Sequence, residues 1–357
     1  MSNPQFDIAL SFLFRNRLRK SLALVDHYGS AQEAWHHLNE PQMKECWARA
    51  GQELEWIHTH GIRVWTLADD DYPYRLRQCP DKPLVLYGKG NIEPSAGHFV
   101  SIVGTRRPTE HGKEITRKLV RELHERLEQL TIVSGGAYGI DIAAHRAAIE
   151  FGVPTLIIPA HGLDRIYPYQ HRAEAVSSLM NGGLLTEFPS GTEPLPKNFL
   201  QRNRIIAGLS DATVVVESKE RGGSLVTANM AVDYSRELFT FPGRPEDASS
   251  QGCNNLIRSD KAHLITCADD LITFMGWKTK NTTAQPVQTA LVGLLADLSP
   301  TQQTLLDKLQ EAEEGLNINF LVMETDLPYE TVASEMLMLE LQGLVRSLPG
   351  GIYRFQR

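Results

Sequence analysis

The chain has 357 residues, 42% of them apolar and 22% charged, and a net charge of −7. That mixture is enough for two or three globular cores and excludes a collagenous, low-complexity or disordered chain. Cys46, Cys79, Cys253 and Cys267 lie far apart without a CxxC pair, which argues against a zinc site or a disulfide framework, and no apolar run approaches the roughly 18–20 residues of a membrane span.

The first twenty residues carry their charges after the apolar patch, unlike a secretory signal, so a cytoplasmic location is expected. Residues 6–13, 21–27, 30–38 and 41–60 each place apolar residues three or four apart, with Gly29 and Pro41 as breaks, and predict a small helical domain. Ser30 followed by Glu33 is a capping-box signal. The basic set Arg15, Arg17, Arg19 and Lys20 reads as a solvated helix face. Two short strands are expected at 64–67 and 84–87, and Asp69, Asp70 and Asp71 between them read as a solvated turn rather than a metal site.

From Phe99 the pattern alternates strand and helix, with strands expected at 100–103, 131–133, 155–158, 184–187, 213–217, 238–241 and 263–265. Such alternation predicts a mostly parallel, doubly wound sheet with ligands at the carboxyl ends of its strands. At one such end, Ser134, Gly135, Gly136, Ala137 and Gly139 form a glycine turn that opens a helix, the local chemistry of a phosphate cradle. Asp141 and His145 follow on that helix; a first-turn acid favoured by the helix dipole and a packed or phosphate-facing histidine are the readings preferred over acid–base catalysis. His161 is the other acid–base candidate, and the histidine spacing fits no HExxH metal motif.

A dinucleotide-binding oxidoreductase is discounted. The first strand leads into Gly104, Thr105, Arg106 and Arg107 rather than GxGxxG, and the strand after the glycine turn ends in Pro159-Ala160-His161, with no acid for a ribose hydroxyl. Positive charge takes their place. Further along, Lys197, Asn198, Phe199, Arg202, Asn203 and Arg204 follow a Pro-rich loop; Gly223, Ser224 and Thr227 form a second glycine-to-helix turn; Asn254 and Asn255 precede a short helix. Arginine forks and amide donors at helix mouths suit phosphate.

The blocks VGTRRP, SGGAYGIDIAAHRAA, FPSGTEPLPKNFLQRNRIIAGLS, GGSLVTANMAVDYSRELFTFPG and GCNNLIRSDKAHL resemble the DNA-processing protein A family, also called DprA or Smf. The resemblance spans about residues 99–270. It implies an extended Rossmann-like domain that binds single-stranded DNA, dimerises, and loads the RecA recombinase onto incoming DNA during natural transformation, with no cofactor and no catalytic residue. The helical N-terminal region is similar to the small SAM-like domain of many members, but their frequent GIGP turn is replaced by the stretch from Arg15 to Lys20.

Residues 278–290 are polar and aperiodic, hence a linker. Beyond them three helices at 301–309, 318–324 and 329–342, then a hairpin around Pro349-Gly350, predict a winged helix. From 297 onward there are four basic residues, Lys308, Arg346, Arg354 and Arg357, against ten acidic ones, whereas duplex affinity rests on phosphate neutralisation. A protein contact or regulatory docking is therefore favoured for this unit. The expected domains are 1–75 (helical), 76–278 (Rossmann-like), 279–296 (linker) and 297–357 (winged helix). Two functions compete: a single-strand-binding mediator without turnover, and a nucleotide-binding or nucleotide-hydrolysing enzyme on the same cradle. The glutamate that related phosphoribohydrolases carry after the second glycine turn is absent from Thr227-Ala228-Asn229-Met230-Ala231.

Overall fold

A computed structural model describes residues 3–15, 17–280, 298–312, 315–348 and 350–355. Four helices open the chain: α1 (Pro4–Leu13), α2 (Leu18–Tyr28), α3 (Ala31–His37) and α4 (Met43–His60). The Asn3 and Ser30 side chains cap α1 and α3 by accepting from the Gln5 and Glu33 amides, and left-handed glycines, Gly29 and Gly61, end α2 and α4. Ile8, Leu10, Phe14, Trp35 and Ile57 make the core of this unit, but Val85 and Tyr87 are buried with them. Those two residues lie on β2 (Val85–Asn91), which pairs antiparallel with β1 (Arg63–Thr66). In the turn after β1, Asp69 accepts from the Thr66 amide at 2.7 Å and Asp71 accepts from the Trp65 indole at 3.2 Å.

The sheet continues through β3 (His98–Val103), β4 (Leu130–Ser134), β5 (Thr155–Ile157), β6 (Gly182–Thr186), β7 (Ala212–Val215), β8 (Glu237–Thr240) and β9 (His263–Leu264), in the order β1-β2-β6-β5-β4-β3-β7-β8-β9. Strands β3 to β9 are mutually parallel, and β2 joins them antiparallel, with Tyr87 opposite Thr186. The expected boundary at residue 75 thus falls between β1 and β2, two paired strands of one sheet: the sheet reaches back to Arg63.

Helices cover both faces. Between the strands stand α5 (Tyr74–Arg77), α6 (Glu110–Arg126), α7 (Ile140–Glu150), α8 (Arg172–Ser178), α9 (Pro196–Leu209), α10 (Gly223–Asp233), α11 (Gln251–Arg258) and α12 (Ala268–Met275). Leu119, Val120, Ala144, Leu271 and Ile272, from α6, α7 and α12, pack on one face; Ile205, Ile206, Ala228 and Leu256, from α9 to α11, pack on the other. The winding therefore reverses between β3 and β7. A crevice opens at the carboxyl ends of strands wherever such a reversal occurs, because adjacent loops turn to opposite faces. Below it, Arg75 forms a buried two-pronged pair with Asp211 at 2.6 and 2.9 Å, and Asp211 also accepts from the Phe99 amide, locking α5 and the α9–β7 turn to the start of β3.

The C-terminal unit contains α13 (Pro300–Glu311), β10 (Leu316–Asn317), α14 (Ile318–Thr325), α15 (Tyr329–Leu341), β11 (Val345–Leu348) and β12 (Ile352–Phe355). It is a winged helix whose sheet has the order β10-β12-β11; β10 adds a two-residue strand to the expected hairpin. Ser299 and Gln302 cap α13 reciprocally. The unit touches the main sheet through Gly350, whose amide donates to the Glu237 carboxylate, and through Asn319 against Ser235. Its third helix, α15, carries Glu330, Glu335 and Glu340 and no basic residue. Most of the expected linker and Arg357 lie outside the described residues. Among the described residues no helix is long and apolar enough to cross a membrane, and no cluster of side chains could hold a metal ion.

Candidate nucleic-acid interface

A cavity of about 260 Å³ occupies the crevice at the winding reversal. Its floor is built by three loops. Thr105, just past β3, donates its amide to the Glu217 carbonyl at 2.7 Å, and its own carbonyl accepts from the Ile140 amide at 3.2 Å. Gly139 makes that second contact possible: at φ +90° it lies so close to the Thr105 carbonyl that no side chain would fit. The Glu217 carboxylate faces away from the cavity and accepts from the Thr109 amide and hydroxyl at 2.9 and 2.5 Å, so its charge is used at the start of α6.

The glycine turn after β4 is present, but its donors face inward. Asp141 is buried; burial raises its pKa, and Arg202 together with the amides of Ala137 and Gly135 opposes the rise. A carboxylate of the protein itself thus occupies part of the expected cradle. Arg202, also buried, donates one nitrogen to the carbonyls of Gly135, at 2.7 Å, and Ile158, and its Nε to Asn203 at 3.3 Å. Burial lowers its pKa to about 10, with Asp141 opposing and Arg106 adding, so it remains charged at neutral pH. It fastens the ends of β4 and β5 to α9.

The open anion site is at the other glycine turn. Helix α10 begins at Gly223 with no side-chain cap, and Gly222 and Gly223 are exposed on the cavity wall. Asn203 holds the Gly223 carbonyl at 3.4 Å, and Ser224 donates to Ser218 at 3.0 Å. The uncapped amides and the helix dipole attract negative charge there. Arg106, Lys219 and Arg221, all exposed, line the same cavity, as do Phe199, Leu200 and Thr227. Arg106 lies 5.6 Å and Arg202 5.8 Å from the Phe199 ring centre, and the Tyr167 ring stands 6.0 Å from Phe199. Tyr138, 44% exposed, is held by Gln170 at 3.0 Å and the edge of His171. Cations, free helix amides and exposed rings together suit a ligand with both phosphates and planar bases.

Of the residues selected from sequence, Gly104, Thr105, Arg106, Ala137, Asp141, Phe199, Arg202, Asn203, Gly223, Ser224 and Thr227 line this cavity. Gly135 and Gly136 line a smaller neighbouring cleft, where His171 meets the Gly136 carbonyl at 2.8 Å. Arg107 and Lys197 are exposed outside the lining. The others serve the fold. Ser134 donates to the Ile102 carbonyl at 2.6 Å, Asn198 to the Glu193 carbonyl at 2.9 Å, and Arg204 pairs with Glu187 at 2.5 Å in a buried contact. Asn254 clamps Gly243 through both backbone groups, and Asn255 on α11 does not reach the cavity.

His145 is a core histidine rather than a phosphate ligand: Thr155 gives its hydroxyl proton to the Ile132 carbonyl and accepts from His145 Nδ1 at 2.8 Å. Burial holds the His145 pKa down to about 3. The unfolded ring protonates below about pH 6.5, so this residue's contribution to stability is complete above that pH and declines as pH falls toward 3. The ring is expected to show no NMR titration between about pH 5 and 8, and His145→Gln should flatten the fall in melting temperature across that range. A ring titrating near 6.5 would contradict the placement. His161 is likewise buried, bonded to Gly162 and Tyr167, with its pKa lowered by burial.

The sequence reading missed Lys219 and Arg221, which supply much of the exposed charge, and Ser218, which accepts from Ser224. The signal was available, since SKERG connects a buried β-branched strand to a glycine-opened helix.

The family profile described as DNA recombination-mediator protein A matches residues 63–276, and that of the DprA winged helix domain matches residues 289–351. Protein Smf of Synechocystis is 35% identical over 337 residues, covering 86% of this chain and 83% of the relative. The X-ray structure of DNA processing protein A from Streptococcus pneumoniae superposes with a TM-score of 0.67 at 29% identity, covering 76% of this chain and 98% of that one. A Helicobacter pylori DNA processing protein A, whose structure is described as revealing a single-stranded DNA binding mode, gives a TM-score of 0.53 at 32% identity, over 59% of this chain and 94% of that one.

Proposed function

Because the chain belongs to the DNA recombination-mediator protein A family, also called DprA or Smf, we propose that it binds single-stranded DNA in the cavity between the β3 and β7 loops, protects the incoming strand, and loads RecA during natural transformation. The observation that carries the DNA reading is the convergence of Arg106, Lys219, Arg221 and the uncapped start of α10 beside the Phe199 and Tyr167 rings. Phosphates bind such a site whatever the sequence, and unpaired bases stack on the rings, which a duplex cannot offer. RecA loading rests on family membership. Homodimer formation through the α/β domain is part of the same proposal; β9 at the sheet edge, with Leu264 50% and Phe274 39% exposed, is a surface suited to it.

The protein acts in this reading by binding, without turnover. Asp141 is committed to amides and Arg202, and His161 is buried in hydrogen bonds, so neither is poised to move a substrate proton. Fluorescence polarisation of a labelled single strand, competed by unlabelled strand, duplex and nucleoside monophosphate, separates this from nucleotide hydrolysis. Duplex is expected to compete at least about tenfold more weakly and the monophosphate more weakly still, since several phosphates and bases contribute. Saturation by a monophosphate with release of a free base or phosphate would overturn the proposal.

A further inference from the structure

The chain between β5 and α8 borders the cavity and then leads away from it. His161 accepts from the Tyr167 amide at 3.2 Å, and His171 bonds the Gly136 carbonyl at 2.8 Å, so residues 167–171 are fastened at both ends. At one end the Tyr167 ring meets Phe199 on the cavity wall. At the other, Gln170 holds the Tyr138 hydroxyl and His171 meets the Tyr138 ring. Tyr169 stands between these anchored positions, in the single turn Tyr169–His171, and is 73% exposed, more than any other large aromatic side chain among the described residues. A lone exposed ring needs no explanation, but this one continues a row of rings that begins at the cavity.

The charge beside it has the sign a nucleic-acid strand requires. From Arg165 to Ser178 the sequence has one acidic residue, Glu174, and its carboxylate accepts from Arg146 at 2.7 Å. Arg165 is paired with Asp164 at 2.9 Å. Arg172, exposed at the start of α8, forms no ion pair among the described residues. It follows Tyr169 by three positions across a tight turn, a spacing that sets two side chains on one side of the turn. An open ring and an uncommitted guanidinium side by side suit a base face and the phosphate next to it.

We propose that the single strand leaves the cavity past Tyr167 and continues over this turn, with a base stacked on Tyr169 and an adjoining phosphate held by Arg172. This rests on the DNA reading above. The test measures full-length wild type, Tyr169→Ala, Tyr169→Trp and Arg172→Gln on oligothymidylates of about 6 and about 20 nucleotides at several salt concentrations. On the longer strand Tyr169→Ala is expected to lose about tenfold in affinity with its salt slope unchanged, and Tyr169→Trp to bind as wild type does. Arg172→Gln is expected to make the log–log slope shallower by about 0.7, for one lost phosphate. The shorter strand, filling the cavity alone, should bind all four proteins equally. Unchanged long-strand affinity and slope in Tyr169→Ala and Arg172→Gln would overturn the inference, leave the cavity reading standing, and assign the exposed side of α8, which also bears Val176 and Met180, to a protein partner. Equal losses on both strands would overturn it too, since the turn would then act only by positioning Tyr167. If wild type binds neither strand, the DNA reading itself fails and this inference falls with it.

Discussion

Replacing Arg106, Lys219 and Arg221 together with alanine is expected to weaken single-strand binding by about a hundredfold near physiological salt, and to make its log–log salt dependence shallower by about 2. All three are exposed on the cavity, and among the described residues none forms an ion pair. Their removal breaks no salt bridge among the described residues; it takes away the contact between Arg106 and Phe199 and the Arg106 charge near Asp141 and Arg202. The melting temperature should stay near that of wild type, which separates lost contacts from lost structure. Arg202→Ala should behave differently: its guanidinium is buried against the carbonyls of Gly135 and Ile158, so its removal strands acceptors and leaves Asp141 without its nearest cation. Measuring polarisation isotherms at several salt concentrations, alongside thermal melts, distinguishes the two. Equal slopes for wild type and the triple variant would remove these side chains from the interface.

A second large effect is expected from Gly139→Ala, although glycine contributes no ligand group. A Cβ there would stand 2.1 Å from the Thr105 carbonyl oxygen and 2.6 Å from the Arg106 Cα, at a φ of +90° that an alanine adopts only under strain. The obstacle is backbone, so it cannot be relieved by a rotamer change. The loop bearing Arg106 must withdraw from the start of α7, breaking the hydrogen bond from Ile140 to Thr105. We expect a stability loss of at least about 2 kcal/mol and a loss of DNA affinity of more than about tenfold. Gly152→Ala provides the contrast: it too has a positive φ, but no atom lies within 4 Å of its added Cβ. It should cost some stability and leave binding alone. Denaturant midpoints and strand affinities for both variants check the pair of expectations.

These contrasts show what could be read from sequence. The βα alternation from Phe99 onward predicts the parallel strands because fully buried strands stand out as short β-branched runs, such as Thr131-Ile132-Val133 and Thr213-Val214-Val215. Strands β1 and β2 are equally visible as strands, but their membership of the large sheet is not: Tyr87 pairs with Thr186, a partner 99 positions away that no local periodicity reveals. Arg202 and Arg204 look alike in sequence. Two positions on a helix lie about 200° apart, so one faces the Gly135 turn and the other the buried Glu187.

The glycine turn was legible as a turn, whereas the direction of its donors was not. Asp141 fills that turn from within, and the exposed cations beside Arg106 come from Lys219 and Arg221, whose one mark in the sequence is their place between a buried strand and a glycine-opened helix. The winged helix follows from three periodic segments and a hairpin. Its acidic third helix, bearing Glu330, Glu335 and Glu340, agrees with the charge count that argues against duplex binding.

Photo-cross-linking tests the central proposal most directly, because it reports where the strand lies. A single strand carrying 5-iodouracil, irradiated on the full-length protein and mapped by mass spectrometry, is expected to label peptides containing the exposed Tyr138 and Tyr167 rings or the half-buried Phe199 ring beside the cavity. Labelling should fall with the Arg106, Lys219 and Arg221 triple variant. Cross-links confined to residues 298–355, with those rings unlabelled, would contradict the proposal and place the strand on the winged helix.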